Sequence, residues 1–262
     1  LNLKENILRT FNVIERKNAM TIFSVGAHMD DSENGIGGII VQAVRDGHRV
    51  VCVVATGDYT SWAYTVGREE AVKKQQLELP ARFGYEKRFL NYKYHQVEAD
   101  VAFKKQIIEI YVEIKPDITF AHTTSDHWPD HVACGTGTKD AVLFSHGLTS
   151  DLSERRCPRI FAYSVTAGQT ITFEPDHFVN VSDVMPEYME MLQHTDSCLS
   201  GKPPEDVLQY EVKELASGKT LKMSGHGWRR HGLCSVWGDA SGERPYAIGL
   251  QSLWGPKGGK LW

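Results

Sequence analysis

Residues 21–55 read TIFSVGAHMDDSENGIGGIIVQAVRDGHRVVCVVA, and the order of patterns in that stretch sets the fold. Thr21 to Gly26 is a short apolar run. Ile36 to Arg45 has the composition of a helix. Arg49 to Ala55 is continuous and β-branched, as expected of a strand buried on both faces. Strand, helix and strand in succession imply a βαβ unit and parallel strands. Outward from there the alternation repeats. Glu69 to Leu79 is helical, and Pro80 is expected to end or kink it. Arg88 to Leu90 fits a short strand. Val101 to Ile114 is an amphipathic helix, with Ile107, Ile108, Tyr111 and Ile114 on one side. Asp117 to His122 is a further strand. The expectation is a single α/β domain, its mostly parallel sheet flanked by helices.

The second half is less regular. Arg159 to Ser164 and Phe178 to Val181 fit strands, and Asp183 to Ser197 a helix. Residues 201–241 mix glycine, proline and charge without periodicity and are expected to be loops and short elements on the substrate side. Residues 1–19 have Leu3, Ile7, Phe11 and Ile14 at helical spacing and are expected to form an N-terminal helix extension. No composition break divides the chain, so 1–262 is taken as one domain.

Composition excludes several classes. The net charge is -4, and phosphate binding needs clustered Lys and Arg, so no nucleic-acid partner is expected. No long apolar run marks a spanning helix, and the charged N-terminal stretch lacks the apolar centre of a signal peptide, so neither membrane nor export is expected and the cytoplasm is the anticipated location. Cys52, Cys134, Cys157, Cys198 and Cys234 are odd in number and scattered, with no CxxC pair. Reduced thiols are expected rather than disulfides or a cysteine metal site.

Polar clusters follow three apolar strands: His28-Met29-Asp30-Asp31, Thr56-Gly57-Asp58, and His122 to His131. In open parallel sheets the ligand crevice lies beyond the carboxyl ends of the strands, so these clusters should converge. Aspartates after a strand also cap helices, and histidines in a polar loop are often solvated. Two such clusters on one sheet favour a metal. Two histidines and a carboxylate suit a catalytic zinc with an open position, and a further carboxylate beside it suits a general base.

AHMDDSE (residues 27–33) closely resembles the AHPDDE signature of the PIG-L or LmbE-like family of N-acetylglucosaminyl deacetylases. WPDHVA (128–133) resembles that family's second signature, HPDH. ATGD (55–58), GREEAVKKQQ (67–76), KPDITFAH (115–122) and VNVSDVMPEYMEMLQHTDS (179–197) resemble further family segments, and RPYAIGL (244–250) its terminal helix. The resemblance spans most of residues 20–253. It implies a Rossmann-like fold, Zn²⁺ held by His28, Asp31 and His131, Asp30 as general base, and Arg68 on substrate hydroxyls. It also implies a small amino-sugar substrate and a trimer or hexamer.

Ala55 stands in place of a threonine, and three further positions depart from the family pattern. Met29 replaces a proline. Trp128 stands where the family has a histidine that stabilises the oxyanion, a role for which neighbouring His127 is the candidate. Ile248 replaces a glutamate common in the terminal helix. Asp58 and Trp62 are candidate substrate contacts. So is His226, in the Gly225–Gly232 stretch, which reads either as a flap over the substrate or as a surface loop.

A nucleotide-binding fold is a rival, but Gly35-Ile36-Gly37-Gly38 is not GxGxxG and acidic residues occupy the phosphate position. A non-catalytic metal- or carbohydrate-binding member of the same fold is the other alternative.

Overall fold

A computed structural model describes residues 19–145, 159–165, 172–214, 217–243, 245–255 and 261–262. Its centre is a seven-stranded sheet in the order β3-β2-β1-β4-β5-β9-β6. β1 (Thr21–Gly26), β2 (Arg49–Asp58), β3 (Glu86–Lys93), β4 (Ile118–His122) and β5 (Arg159–Tyr163) run parallel. β9 (Ala247–Trp254) lies antiparallel to β5 and to β6 (His177–Asn180). The chain is thus a mixed α/β fold with a mostly parallel sheet flanked by helices, as its alternating patterns predict.

The continuous apolar runs of β1 and β2 are explained by burial on both faces. Ile22, Val50 and Cys52 face one layer, together with α1 (Asp31–Arg45), α5 (Met185–Ser200) and α6 (Gly225–Ser241). Phe23, Val25, Val51 and Val53 face the other, against α3 (Val101–Ile114) and α4 (Pro129–Phe144). Period-two alternation therefore divides one strand between two cores. α3 starts where Asp100 accepts a hydrogen bond from the Phe103 N–H at 2.7 Å, a side-chain N-cap.

The structure corrects four expectations. α2 (Glu69–Phe83) runs through Pro80 and stops at Gly84, whose φ of 78° closes the helix. Proline there forgoes one backbone bond, its own N–H to the Gln76 carbonyl, and the helix completes a single further turn before Gly84. Residues 201–241 are not irregular: they contain the hairpin β7 (Tyr210–Lys213) and β8 (Thr220–Met223), and then the whole of α6. The Gly225–Gly232 stretch is the start of that helix rather than a loop. RPYAIGL leads into the strand β9, not a helix, because Ala247, Ile248 and Leu250 pair with β6 inside the sheet. The predicted N-terminal helix lies outside the described residues.

Cys52, Cys134, Cys198 and Cys234 are buried free thiols, and Cys157 lies outside the described residues. Among the described residues, no helix is long and apolar enough to cross a membrane.

Candidate metal centre and active site

β1 lies between β2 and β4, so the strand order reverses at β1 and β4. Crevices form beyond the carboxyl ends of strands at such a reversal. The first polar cluster follows β1 and enters α1. The second follows β4 and enters α4. α4 comes close to the end of β4 because residue 135 is glycine: a Cβ there would stand 2.5 Å from the His122 carbonyl oxygen. That approach carries His131 to the loop from β1.

His28, Asp31 and His131 converge and are buried. His28 Nδ1 is 3.1 Å from His131 Nε2, and Asp31 lies 3.6 Å from the first and 3.5 Å from the second. Each imidazole turns its other nitrogen to a carboxylate. His28 Nε2 meets Asp130 at 3.0 Å, and His131 Nδ1 meets Asp126 at 3.2 Å. Carboxylates only accept, so those outer nitrogens carry the protons. In the neutral imidazoles the inward Nδ1 of His28 and Nε2 of His131 offer lone pairs beside the Asp31 carboxylate. Three ligand atoms converging in this way could hold a cation. Two nitrogens and one carboxylate with carboxylate-supported imidazoles match a catalytic zinc site.

Asp130 is itself held by the N–H groups of His95 at 2.8 Å and Val97 at 3.2 Å. Behind the ligands, His122 Nε2 approaches Asp31 at 2.8 Å, and the His28 N–H donates to the same oxygen at 2.6 Å. Burial, reinforced by the charge of His131, lowers the His122 pKa to about 4, so it stays neutral. Burial alone would raise the Asp31 pKa, but His131, His122 and His28 outweigh it and hold the group well below the carboxylate range.

Asp30 behaves oppositely. Burial and the neighbouring Asp31 charge raise its pKa, against His226 and His28. It occupies the N-cap position of α1 yet makes no side-chain cap. Its carboxylate instead accepts from Asn34 Nδ2 at 3.0 Å and turns toward His226 Nε2, 3.6 Å away. His226, in the first turn of α6, is oriented by Asp196 of α5. The Asp196 carboxylate binds its Nδ1 and accepts from its backbone N–H at 3.0 Å. Burial opposes protonation of His226, but the Asp196 bond and the Asp30 charge raise its pKa overall.

These groups open onto a pocket of about 190 Å³. One wall is aromatic: Tyr59, Trp62, Tyr94 and Trp128. Trp62 and Tyr94 rings lie 5.2 Å apart, and Trp128 is edge-on to His28 at 6.1 Å. The opposite wall is His226 and Arg229 of α6.

Of the residues singled out from sequence, the structure gathers His28, Asp30, Asp31, His131, Trp62 and His226 around this pocket. It does not bring three others there. The Asp58 carboxylate is spent on the N–H and hydroxyl of Thr60. Arg68 donates to the carbonyls of Tyr64 and Leu199, both at 2.9 Å, tying α2 to the end of α5. His127 is exposed. Its neighbour Trp128 has an extended backbone, and the Trp128 N–H is held by Asp126 at 2.9 Å. That geometry turns Trp128 into the pocket and His127 away from it. Asp126, Asp130 and Asp196 were not singled out. Asp130 lay within the second signature and Asp126 two residues before it, and only their support of the imidazoles distinguishes them.

Residues 23–142 match the PIG-L family, described as GlcNAc-PI de-N-acetylase. The chain is PIG-L-like over that stretch. Solved structures of similar fold cover more than nine tenths of the chain. GalB, the 4-carboxy-2-hydroxymuconate hydratase of Pseudomonas putida KT2440, is 15% identical, covers 93% of this chain and 100% of its own, and has a TM-score of 0.70. The N,N'-diacetylchitobiose deacetylase of Pyrococcus horikoshii is 19% identical, with 97% and 93% covered and a TM-score of 0.66. The conserved protein TT1542 of Thermus thermophilus is 18% identical, with 93% and 98% covered and a TM-score of 0.68. At these identities the likeness is one of fold. A hydratase and a deacetylase share it, so the chemistry must be argued from the site.

Proposed function

We propose that this chain is a metal-dependent N-deacetylase, hydrolysing the acetamide of a small amino-sugar-type substrate to the free amine and acetate. The observation that carries this reading is the division of labour between adjacent aspartates. Asp31 joins the imidazoles of His28 and His131 in a group that could hold a cation, while Asp30 stands beside it, outside that group, with a raised pKa. A purely metal-binding protein has no need of the second carboxylate. The family match and the deacetylase among the similar folds support the same reading.

His28, Asp31 and His131 would hold Zn²⁺. When bound, it would lower the pKa of a coordinated water and polarise an amide carbonyl. Asp30 takes the proton of the attacking water and delivers it to the leaving nitrogen, a transfer favoured by a carboxylate whose pKa is raised toward neutrality. His226, kept protonated by Asp196, donates from Nε2 to the oxygen on which negative charge develops. It takes the part anticipated for His127. Trp62, Tyr94 and Trp128 offer flat faces against which a ring can stack.

The test is acetate release from N-acetylglucosamine and from diacetylchitobiose, with chelator and with Zn²⁺ restored. Zinc-restored release supports the proposal and begins to fix the substrate's size. No release from either, in protein carrying one zinc per chain, rejects the amino-sugar acetamide as substrate.

A further inference from the structure

A buried group of polar side chains lies directly behind Asp30, and the reaction makes no use of it. Lys87 on β3 and Glu33 in the first turn of α1 form an ion pair at 2.8 Å with both side chains fully buried. Lys87 Nζ also donates to Gln76 of α2 at 2.7 Å, and Tyr85 donates to Glu33. The third Lys87 hydrogen bond goes to the backbone carbonyl of Met29, at 2.6 Å. On the opposite side of the same residue, the Met29 N–H donates to the Tyr59 hydroxyl at 2.8 Å. Both polar groups of Met29 are therefore held by side chains from other elements, and its own side chain is 1% exposed.

That restraint bears on Asp30. An aspartate at an N-cap ordinarily has an extended backbone and accepts from the second or third N–H of the helix, here Ser32 or Glu33. Asp30 has φ -112° and ψ -5° and makes no such bond. The Met29–Asp30 peptide sets the direction in which the carboxylate leaves the backbone. A proline at position 29 would restrict φ through its ring. Methionine carries no such restriction, and two hydrogen bonds, one with Lys87 on β3 and one with Tyr59 just after β2, take its place. A buried ion pair is often replaceable by apolar side chains without loss of stability, so the pair by itself gives weak reason for a lysine here. The Met29 carbonyl gives a specific one.

We infer that Lys87 is a positioning residue, which by holding the Met29 carbonyl keeps Asp30 out of the helix cap and aimed into the pocket. The inference rests on Asp30 serving as the base of the proposed hydrolysis. Glu33 and Gln76 hold the lysine in place.

The experiment compares the zinc-loaded parent with Glu33→Gln and with the double variant Glu33→Gln/Lys87→Met. The double variant leaves no unpaired buried charge, so it is the one to fold. Its kcat is expected to fall roughly 10- to 100-fold with KM within about threefold and one zinc retained per chain, the signature of a misplaced catalytic group. Glu33→Gln, in which Lys87 still reaches Met29, is expected to keep kcat within about threefold of the parent. A crystal structure of the double variant should show the Asp30 carboxylate turned to the Ser32 or Glu33 N–H. A double variant with parental kcat and Asp30 unmoved would overturn the inference, and so would loss of zinc in step with activity. If the parent hydrolyses no acetamide, the proposed reaction fails, and the position of Asp30 in the variant crystal still decides the role of Lys87.

Discussion

Asp30 and Asp31 are covalent neighbours that meet different surroundings. Asp31 is ringed by three imidazoles and stays ionised, whereas Asp30 is desolvated beside a like charge and holds its proton to higher pH. Environments that push two carboxylates apart in this way separate ligand from base. Asp30→Asn is therefore expected to keep one zinc per chain and to lose roughly 10²- to 10⁴-fold in kcat, the range for a general base. Equal zinc loss in Asp30→Asn and His131→Ala, measured by metal analysis, would sink that division. A second consequence concerns pH. His226 acts as a donor while protonated, and Asp196 is the strongest influence raising its pKa against burial. A raised pKa keeps the proton to higher pH, and activity declines as pH rises through it. Asp196→Asn removes that support, so the alkaline limb of the kcat profile should move toward acid. An unmoved limb would mean that His226 is not the titrating donor. At this scale the proposed ligands and proposed base were legible as candidates because they sit within two short motifs. Asp196 and Lys87 were not, since each acts through a contact between elements far apart in the chain.

Between elements, the sequence is least informative where packing overrides propensity. α6 contains Gly225, Gly227, Gly232 and Gly238, and glycine is a poor helix former. Its buried face includes Arg230 and His231 beside Cys234 and Trp237, and the two polar residues are ones that hydrophobic periodicity does not register. Arg230 is buried because its guanidinium donates to the carbonyls of Ser164 and Val165. The signal that would have found the helix is Ser224, whose side chain accepts from the Gly227 N–H. Arg68 illustrates the reverse case, a residue whose resemblance implied substrate contact and whose geometry joins two helices. It also packs against Gly201, which has φ of 69° and where a Cβ would stand 2.0 Å from the guanidinium. Arg68→Ala removes hydrogen bonds to two carbonyls and should cost about 1–2 kcal/mol. For a chain of this length that lowers Tm by roughly 2–8 °C. KM should stay close to parental. A large rise in KM with Tm unchanged would return Arg68 to the substrate.

Over the whole molecule, the parallel core and its crevice were legible because both depend on local alternation. β1, β2 and β4 each announce themselves by apolar runs, and the clusters that follow them fall at the reversal of strand order. At the antiparallel side β6 was legible as a strand and β9 was not, because β9 completes the sheet from the far end of the chain and only its pairing with β5 and β6 makes it a strand. The metal site joins these scales. His28 and Asp31 belong to the loop after β1 and the start of α1, while His131 belongs to α4, so a bound cation cross-links two halves of the sheet's crevice. Zinc that binds the folded chain alone stabilises it by mass action, about 4 kcal/mol at a thousandfold excess over Kd. The zinc-loaded protein should therefore melt roughly 8–16 °C above the chelated one. His131→Ala removes one of the three ligands and should melt at one temperature with or without zinc. A parental Tm indifferent to chelation would mean that the three side chains do not form a cation site, and the proposed chemistry would fall with it.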